Sequence, residues 1–478
     1  MNKKTAINAI EANAKVFCDL SDKIWEYAEL SLKEFKSAEE YCDVLSSLGF
    51  EVEREIAGIP TAFLGKWGSG KPVIGILGEY DALSGLSQVA AATNREELVK
   101  GGSGHGCGHN MLGAGALAAA YGIKEYLRTT GKDGTVIFYG TPGEEGGAGK
   151  AFMAKEGLWY DLDCALTWHP SDVNEVSVGT CNSCIQVLYK YKGTASHAAG
   201  DPEYGRSALD AVELMNIGVQ YLREHTKDDA RIHYAMIDGG GFSPNVVQPT
   251  ASVLYMVRSK LVRDAIELTE RVDKIADGAA LMSETSYEKV FIDGCSGTVP
   301  NSVLEGLLYE NMKSTPIPEY TSEEIDYAKK LKATYETHVT PSIAAIYDKR
   351  VRTQIEELTE GGTKPLCDFV APLYKGYHFS PGSTDVGDVS WQTPTAQINT
   401  TCFVLGAPGH SWQNVSVGKT PIGHKGLIYA AKVIAKTAVD LFENPELLAR
   451  AKAEFAENTK GGYVCPIPKN EYAKAIEL

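Results

Sequence analysis

The chain has 478 residues, 44% of them hydrophobic, with Lys and Arg totalling 46 against 62 Asp and Glu, a formal net charge of 46 − 62 = −16. That length exceeds one ordinary core and predicts two or three domains, and the composition excludes both a disordered chain and a membrane protein. The negative balance argues against a nucleic-acid partner or an anionic membrane surface, because both require clustered Lys and Arg.

Residues 5–48 carry helical periodicity, with Ile7, Ile10, Ala14, Phe17, Leu20 and Ile24 on one side and a second helix from Ser37 to Leu48. No apolar run of signal-peptide length opens the chain, and ten scattered cysteines read as reduced thiols, so a cytoplasmic location is expected. Strands follow at Phe50 to Glu55, Thr61 to Trp67 and Pro72 to Leu77. The last of them runs into Gly78-Glu79-Tyr80-Asp81, which sets two acids at the carboxyl end of a buried strand, where open α/β sheets bind ligands.

Gly101 to Gly115 then crowds Cys107 and His109 between glycines and leads into an Ala-rich helix from near Met111 to about Arg128. Cys-x-His is a short chelate, and a helix N-terminus beside Cys107 favours the thiolate that binds metal. The strand Thr135 to Tyr139 is followed by Glu144 and Glu145, and after a helix at Gly149 to Glu156 the strand Cys164 to Trp168 ends in His169 and Pro170. Three successive strand ends thus carry polar groups.

Beyond Gly179 the pattern changes. Ile185 to Lys192, Ile232 to Asp238, Ala251 to Ser259 and Tyr287 to Ile292 read as strands, with helices at Gly205 to Glu224 and Val262 to Ser283. That order is β-α-β-β-α-β, the ferredoxin-like split motif, and it predicts an inserted domain at 182–297 within a first domain built from 1–181 and 298–478. From Val303 the chain reads as helical to about Glu360, a strand at Thr401 to Leu405 precedes His410, and a helix from about Gly426 to Phe442 completes the first domain.

Collected, Glu79, Asp81, Cys107, His109, Glu144, Glu145, His169 and His410 mix imidazole, thiolate and carboxylate, a set suited to zinc, manganese, cobalt or iron rather than magnesium or calcium. There are enough donors for two metals. Two ions can polarise a carbonyl and activate a water while a free carboxylate carries protons, and adjacent Glu144 and Glu145 point in different directions, which suits one to ligation and the other to proton transfer. Cys107 also reads as a nucleophile with a histidine base, an alternative ranked lower because Cys107 and His109 are in chelate register. Cys181 and Cys184, a lone C-x-x-C, read as structural cysteines, and His105 as a supporting residue.

The segments GEYDALSGLSQ, GHGCGHN, GTPGEEGG, WHP, SHAAGDPEYGRSALDA and GHSWQ, in this order, resemble the aminoacylase and carboxypeptidase G family of metallopeptidases, in its amidohydrolase branch. The resemblance covers nearly the whole chain. It implies an α/β fold, a metallopeptidase-type catalytic domain with a mixed central sheet flanked by helices, and a ferredoxin-like insert serving as lid and dimerisation domain. It also implies two divalent metal ions, manganese or zinc, held by Cys107, His109, Glu145, His169 and His410, with the Cys107 sulfur between them.

By the same resemblance Glu144 is the general base and acid, and Asp81 orients a ligand. His197 reaches across a homodimer to the oxyanion, and Asn245 and Arg258 receive the substrate carboxylate, a task that suits the bidentate geometry of Arg. The expected reaction is hydrolysis of an N-acyl amino acid, with p-aminobenzoyl-glutamate the first candidate. The rivals are a dipeptidase or general deacylase on the same machinery and, more distantly, a non-catalytic metal-binding component of a complex with a heteromeric partner. The chain departs from the family pattern at Asn110, where many relatives have aspartate, and at Glu79, where other branches have a metal-binding histidine. His424 competes with His410 for the last ligand position.

Overall fold

The computed structural model describes residues 2–336, 349–376 and 378–475. By contact the chain divides into two compact units, one of Met1–Thr180, Val299–Ser380 and Val389–Tyr463, the other of Cys181–Thr298, Pro381–Asp388 and Val464–Leu478. The insert is expected at 182–297, and the second unit takes in Cys181–Thr298 together with two later segments. Pro381–Asp388 and Val464–Leu478, expected in the first domain, group with the second unit.

The first unit is organised by a seven-stranded mixed sheet in the order Glu51–Arg54, Phe63–Ser69, Gly134–Gly140, Val73–Gly78, Cys164–Ser171, Thr395–Thr401, Glu175–Ser177. The four central strands, from Gly134–Gly140 to Thr395–Thr401, run parallel, and antiparallel strands flank them on both sides. Continuous apolar runs such as Val73-Ile-Gly-Ile-Leu77 sit in the centre because helices cover both faces of a parallel sheet. Gly78 pairs with Gly140, and His169 pairs with Asn399. Since parallel neighbours end along one edge, Glu79, Glu144, Glu145 and His169 all emerge there.

Helix His109–Thr130 is buried along most of its length and packs against Asn2–Ala12, Ala14–Tyr27 and Pro421–Glu443. Its small residues allow that approach: a Cβ at Gly113 would stand 2.6 Å from the Glu79 carbonyl oxygen. Trp168, fully buried, donates from Nε1 to the Leu112 carbonyl at 2.9 Å and ties the helix to the Cys164–Ser171 strand.

Three expectations change. The N-terminal region forms three helices, Asn2–Ala12, Ala14–Tyr27 and Phe35–Ser47, the second closed by Ala28 in the left-handed conformation. The strand expected at Thr401 to Leu405 is Thr395–Thr401 instead, and Cys402 to Leu405 are buried outside any strand. The helical stretch expected from Val303 to Glu360 resolves into Ser302–Lys313, Ser322–Lys332 and Lys349–Leu358, while its residues 337–348 lie outside the described residues.

The second unit contains the expected β-α-β-β-α-β motif. Its antiparallel sheet runs in the order Ser286–Cys295, Ser183–Lys192, Thr250–Ser259, Arg231–Asp238, covered by helices Ala208–Leu222 and Val262–Ser283. Cys184 pairs with Cys295 across the two strands that enter and leave the insert, with the sulfurs 3.4 Å apart.

Candidate active site

Gly108, at φ +90°, separates Cys107 from His109, and any Cβ there would stand 2.8 Å from the Phe403 ring. Glycine is therefore what lets the two neighbouring side chains turn toward one place. The helix begins at His109, two residues earlier than expected, so His109 itself opens the first turn.

Three overlapping groups have ligating atoms within 4.8 Å of one another: Cys107, His109 and His169; Cys107, Glu145 and His410; and Glu79, His109 and Glu144. The Cys107 sulfur stands 3.4 Å from His169 Nε2, and His410 Nε2 stands 3.6 Å from Glu145 Oε1. His109 Nδ1 bonds Asp81 Oδ1 at 2.8 Å, which turns its Nε2 toward Glu79 Oε2 at 3.2 Å. Asp81 Oδ2 in turn accepts from the Glu145 backbone N–H at 2.9 Å and from the Ser31 hydroxyl at 2.7 Å. His169 Nδ1 donates to the Pro170 carbonyl at 2.7 Å, leaving its Nε2 lone pair free toward Cys107.

The donor set fits a divalent cation. Glu79 Oε2, His109 Nε2 and Glu145 Oε1 are buried with no hydrogen-bond partner among the described residues beyond the ion-pair contacts of 3.2 and 3.6 Å, a cluster of donors that a divalent cation would satisfy. The electrostatics agree. Burial opposes charge on Asp81, but the His109 bond and charge, the Glu145 N–H and the Ser31 hydroxyl outweigh it and hold the carboxyl down to about 2. Burial likewise opposes a proton on His109, yet Cys107 and Asp81 drive its pKa well above the usual imidazole value. The negative field that pulls a proton onto His109 is the field that would hold a metal there.

His169 is pushed down to about 4, first by burial and then by the His109 charge, so it stays neutral and able to ligate. Burial and then Glu145 push the Cys107 thiol up, against the expectation drawn from the helix N-terminus, and ligation requires release of its proton.

Of the sequence-derived residues, the structure brings together Glu79, Asp81, Cys107, His109, Glu144, Glu145, His169 and His410. His424 is instead bonded to Asp22 Oδ1 at 2.8 Å. Asn110 donates from Nδ2 to the Ser21 hydroxyl at 3.0 Å and the Gly418 carbonyl at 3.1 Å, a structural tie. His105 is buried with Nε2 3.0 Å from the Ile24 carbonyl.

His197, Asn245 and Arg258 belong to the second unit. His197 is exposed, and its Nδ1 accepts from the Ala199 and Gly200 backbone N–H groups at 3.2 and 3.0 Å, which puts the neutral ring's proton on Nε2. Asn245 is exposed and accepts at its carbonyl from Ala198 N–H, and Arg258 Nη1 donates to the Ser383 hydroxyl at 2.7 Å.

Sequence reasoning missed Lys150 and Ser31. Lys150 is fully buried and pairs with Glu79 Oε1 at 2.7 Å, fixing that carboxylate from behind. Its signal is weak: a lysine in a short helix reads as surface.

A model described as Peptidase family M20/M25/M40 matches residues 75–416. The chain is 45% identical, over 97% of both chains, to one of the component chains of p-aminobenzoyl-glutamate hydrolase of Escherichia coli (strain K12). It is 27% identical to the Xaa-Arg dipeptidase of Mus musculus, over 95% of this chain and 92% of the relative. Among solved structures, a dinuclear metal binding peptidase from Bacillus subtilis superposes with a TM-score of 0.54 at 16% identity, over 91% of this chain and 99% of that one, a likeness of fold.

Proposed function

We propose that the chain, which belongs to Peptidase family M20/M25/M40 and is a hydrolase of amide bonds, cleaves p-aminobenzoyl-glutamate to p-aminobenzoate and glutamate. The observation that carries the reading is the convergence of three donor groups on one sheet edge with the adjacent carboxylates Glu144 and Glu145 divided between two of them. The full-length likeness to an enzyme named for that substrate supports the choice of acyl group and amino acid.

In this reading Cys107, His109, Glu145, His169 and His410 would hold two divalent cations, manganese or zinc, with Cys107 common to two of the donor groups. When bound, the cations supply Lewis acidity toward the amide carbonyl and lower the pKa of a water. Glu144 takes the proton of the attacking water and delivers it to the departing amine nitrogen. Asp81 fixes the ring of His109 through Nδ1. His197, contributed by the lid of a second copy, donates from Nε2 to the oxyanion, and Asn245 and Arg258 take the α-carboxylate of the substrate.

The homodimer forms through the second unit. Its edge strand Arg231–Asp238 leaves Tyr234 and Met236 exposed, and helix Ala208–Leu222 exposes Ile217 and Tyr221, an apolar face beside open strand pairing. That the Escherichia coli relative is one component of a hydrolase of more than one kind of chain supports a heteromeric partner as well. A cytoplasmic location rests on ten free cysteines, Cys184 and Cys295 among them at 3.4 Å. No helix of the described residues is long and apolar enough to cross a membrane.

The test is release of p-aminobenzoate by metal-stripped protein reloaded with manganese or zinc, with Glu144→Gln as control. Metal-dependent turnover that drops by about 10³-fold in Glu144→Gln is expected. Two bound metals without turnover would move the substrate to a dipeptide or another acyl amino acid, and failure to bind metal would overturn the site.

A further inference from the structure

The loop that carries Glu144 is held from outside by a segment that precedes residues 75–416, the part matched by the family model. After helix Ala14–Tyr27 the chain turns through Ala28 at φ 42°, and Leu30 forms a bridge with Ala82, reinforced by Ala82 N–H donating to the Glu29 carbonyl at 2.8 Å. Ser31 bonds Asp81 Oδ2 at 2.7 Å. Leu32 then sits at φ 60°, a left-handed conformation that a branched side chain adopts only when its surroundings impose it. Its methyl groups fill the space above Gly143 and Gly147, where an added Cβ would stand 2.9 and 2.7 Å from them.

Glu34 completes the brace. It is 0% exposed, and no ion pair to it occurs among the described residues in the way that Lys150 pairs with Glu79. Oε1 accepts from the backbone N–H groups of Leu32 at 2.8 Å and Gly143 at 2.9 Å, and Oε2 accepts from the Thr61 hydroxyl at 3.0 Å. Gly143 stands at φ +70°, so its N–H is aimed by a turn few other residues could make. Two residues on, the Glu145 N–H is held by Asp81. Glu144 therefore lies between two backbone amides, each fixed by a buried carboxyl group.

We propose that Glu34, seconded by Ser31, is a positioning residue that sets where the Glu144 carboxylate reaches. A buried carboxyl satisfied by backbone amides and a hydroxyl is costly to keep as a purely structural element, and here its bonds end on the turn that opens the proton-carrying loop. The inference rests on the reading of Glu144 as proton carrier.

The test compares Glu34→Ala, Glu34→Asp, Glu34→Gln and Ser31→Ala in the metal-loaded full chain. Amide exchange of the 140–147 segment is the readout that needs no substrate: it should accelerate in Glu34→Ala and Glu34→Asp and stay slow in Glu34→Gln, whose amide oxygen keeps both N–H bonds while its nitrogen donates to Thr61. With p-aminobenzoyl-glutamate, kcat should fall by about 10²-fold in Glu34→Ala and Glu34→Asp, with KM and metal content within two-fold of wild type, and Glu34→Gln should retain kcat. Ser31→Ala should show the smaller kcat loss. Glu34→Asp keeps the carboxyl group and serves if Glu34→Ala fails to fold.

Unchanged exchange in the two shortened variants, or kcat falling equally in Glu34→Gln, would overturn the brace. Wild-type turnover in Glu144→Gln would instead overturn the proton-carrier reading on which the brace rests.

Discussion

The two halves of the candidate centre use similar donors with very different support. On the inner side, His109 is fully buried, bonded to Asp81, and faces a Glu79 carboxylate clamped by a buried lysine. On the rim, the side chain of His410 is 56% exposed at φ 50°, and the loop leading to it is tied through the Gly406 N–H, which donates to Asp172 at 2.8 Å. Ligand identity alone would rate the halves alike. Their surroundings separate them: the inner donors are fixed before a cation arrives, whereas the rim donor must give up conformational freedom to bind.

The largest contrast should come from deleting one histidine in each half. His109→Ala removes a donor shared by two of the three clusters and should leave less than about one metal per chain after dialysis, with turnover lost, whereas His410→Ala should retain about one. Elemental analysis decides, and equal retention in both variants would erase the distinction. A smaller effect is expected from the supporting carboxylates. Asp81→Asn should weaken metal affinity by about 10- to 100-fold, and Asp172→Asn, which loosens the loop at Gly406 that leads to His410, should cost less than about ten-fold. Titration against a competing chelator ranks the two, and the reverse order would make the rim the tighter half.

The smallest effect concerns His105, packed behind the inner half. Burial holds its pKa down to about 4 from the ordinary 6.5. Below pH 6.5 the unfolded chain takes up a proton that the folded, metal-free chain refuses until about pH 4, so stability is lost as the pH falls through that window. The slope from this group is at most about 1.4 kcal/mol per pH unit. Urea midpoints of the metal-free protein between pH 7 and 4 should show a shallower decline in His105→Gln, and an unchanged decline would mean that the inner half admits protons freely.

The strand ends carrying Glu79, Glu144 and His169 are readable because short apolar runs between turn residues mark buried parallel strands, and the chemistry follows each run directly. The last central strand is misplaced by the same rule. Thr395-Ala-Gln-Ile-Asn-Thr-Thr401 alternates polar residues, while the apolar stretch Cys402 to Leu405 beside it attracts the assignment and in fact packs as buried loop. Its strand identity comes from its two neighbours, which no local window contains. Lys150 and Glu34 are invisible on similar grounds: one is a charged residue in a short helix and the other stands just before a helix, and only the fold shows that both are buried. The choice between His410 and His424 likewise depends on a distant residue, Asp22.

The sheet order has a further consequence in time. Cys164–Ser171 is bordered on one side by Val73–Gly78 and on the other by Thr395–Thr401. The second border is made only after about 220 more residues have been synthesised, the whole insert among them, an interval of roughly 10 to 45 seconds at the pace of translation. Through that interval a strand whose residues are apolar on both faces presents an open edge, with His169 already at its tip. The nascent chain thus has most of the candidate donors before its sheet is complete, and the time during which that edge can pair with another chain is set by the pace of translation rather than by folding of the insert.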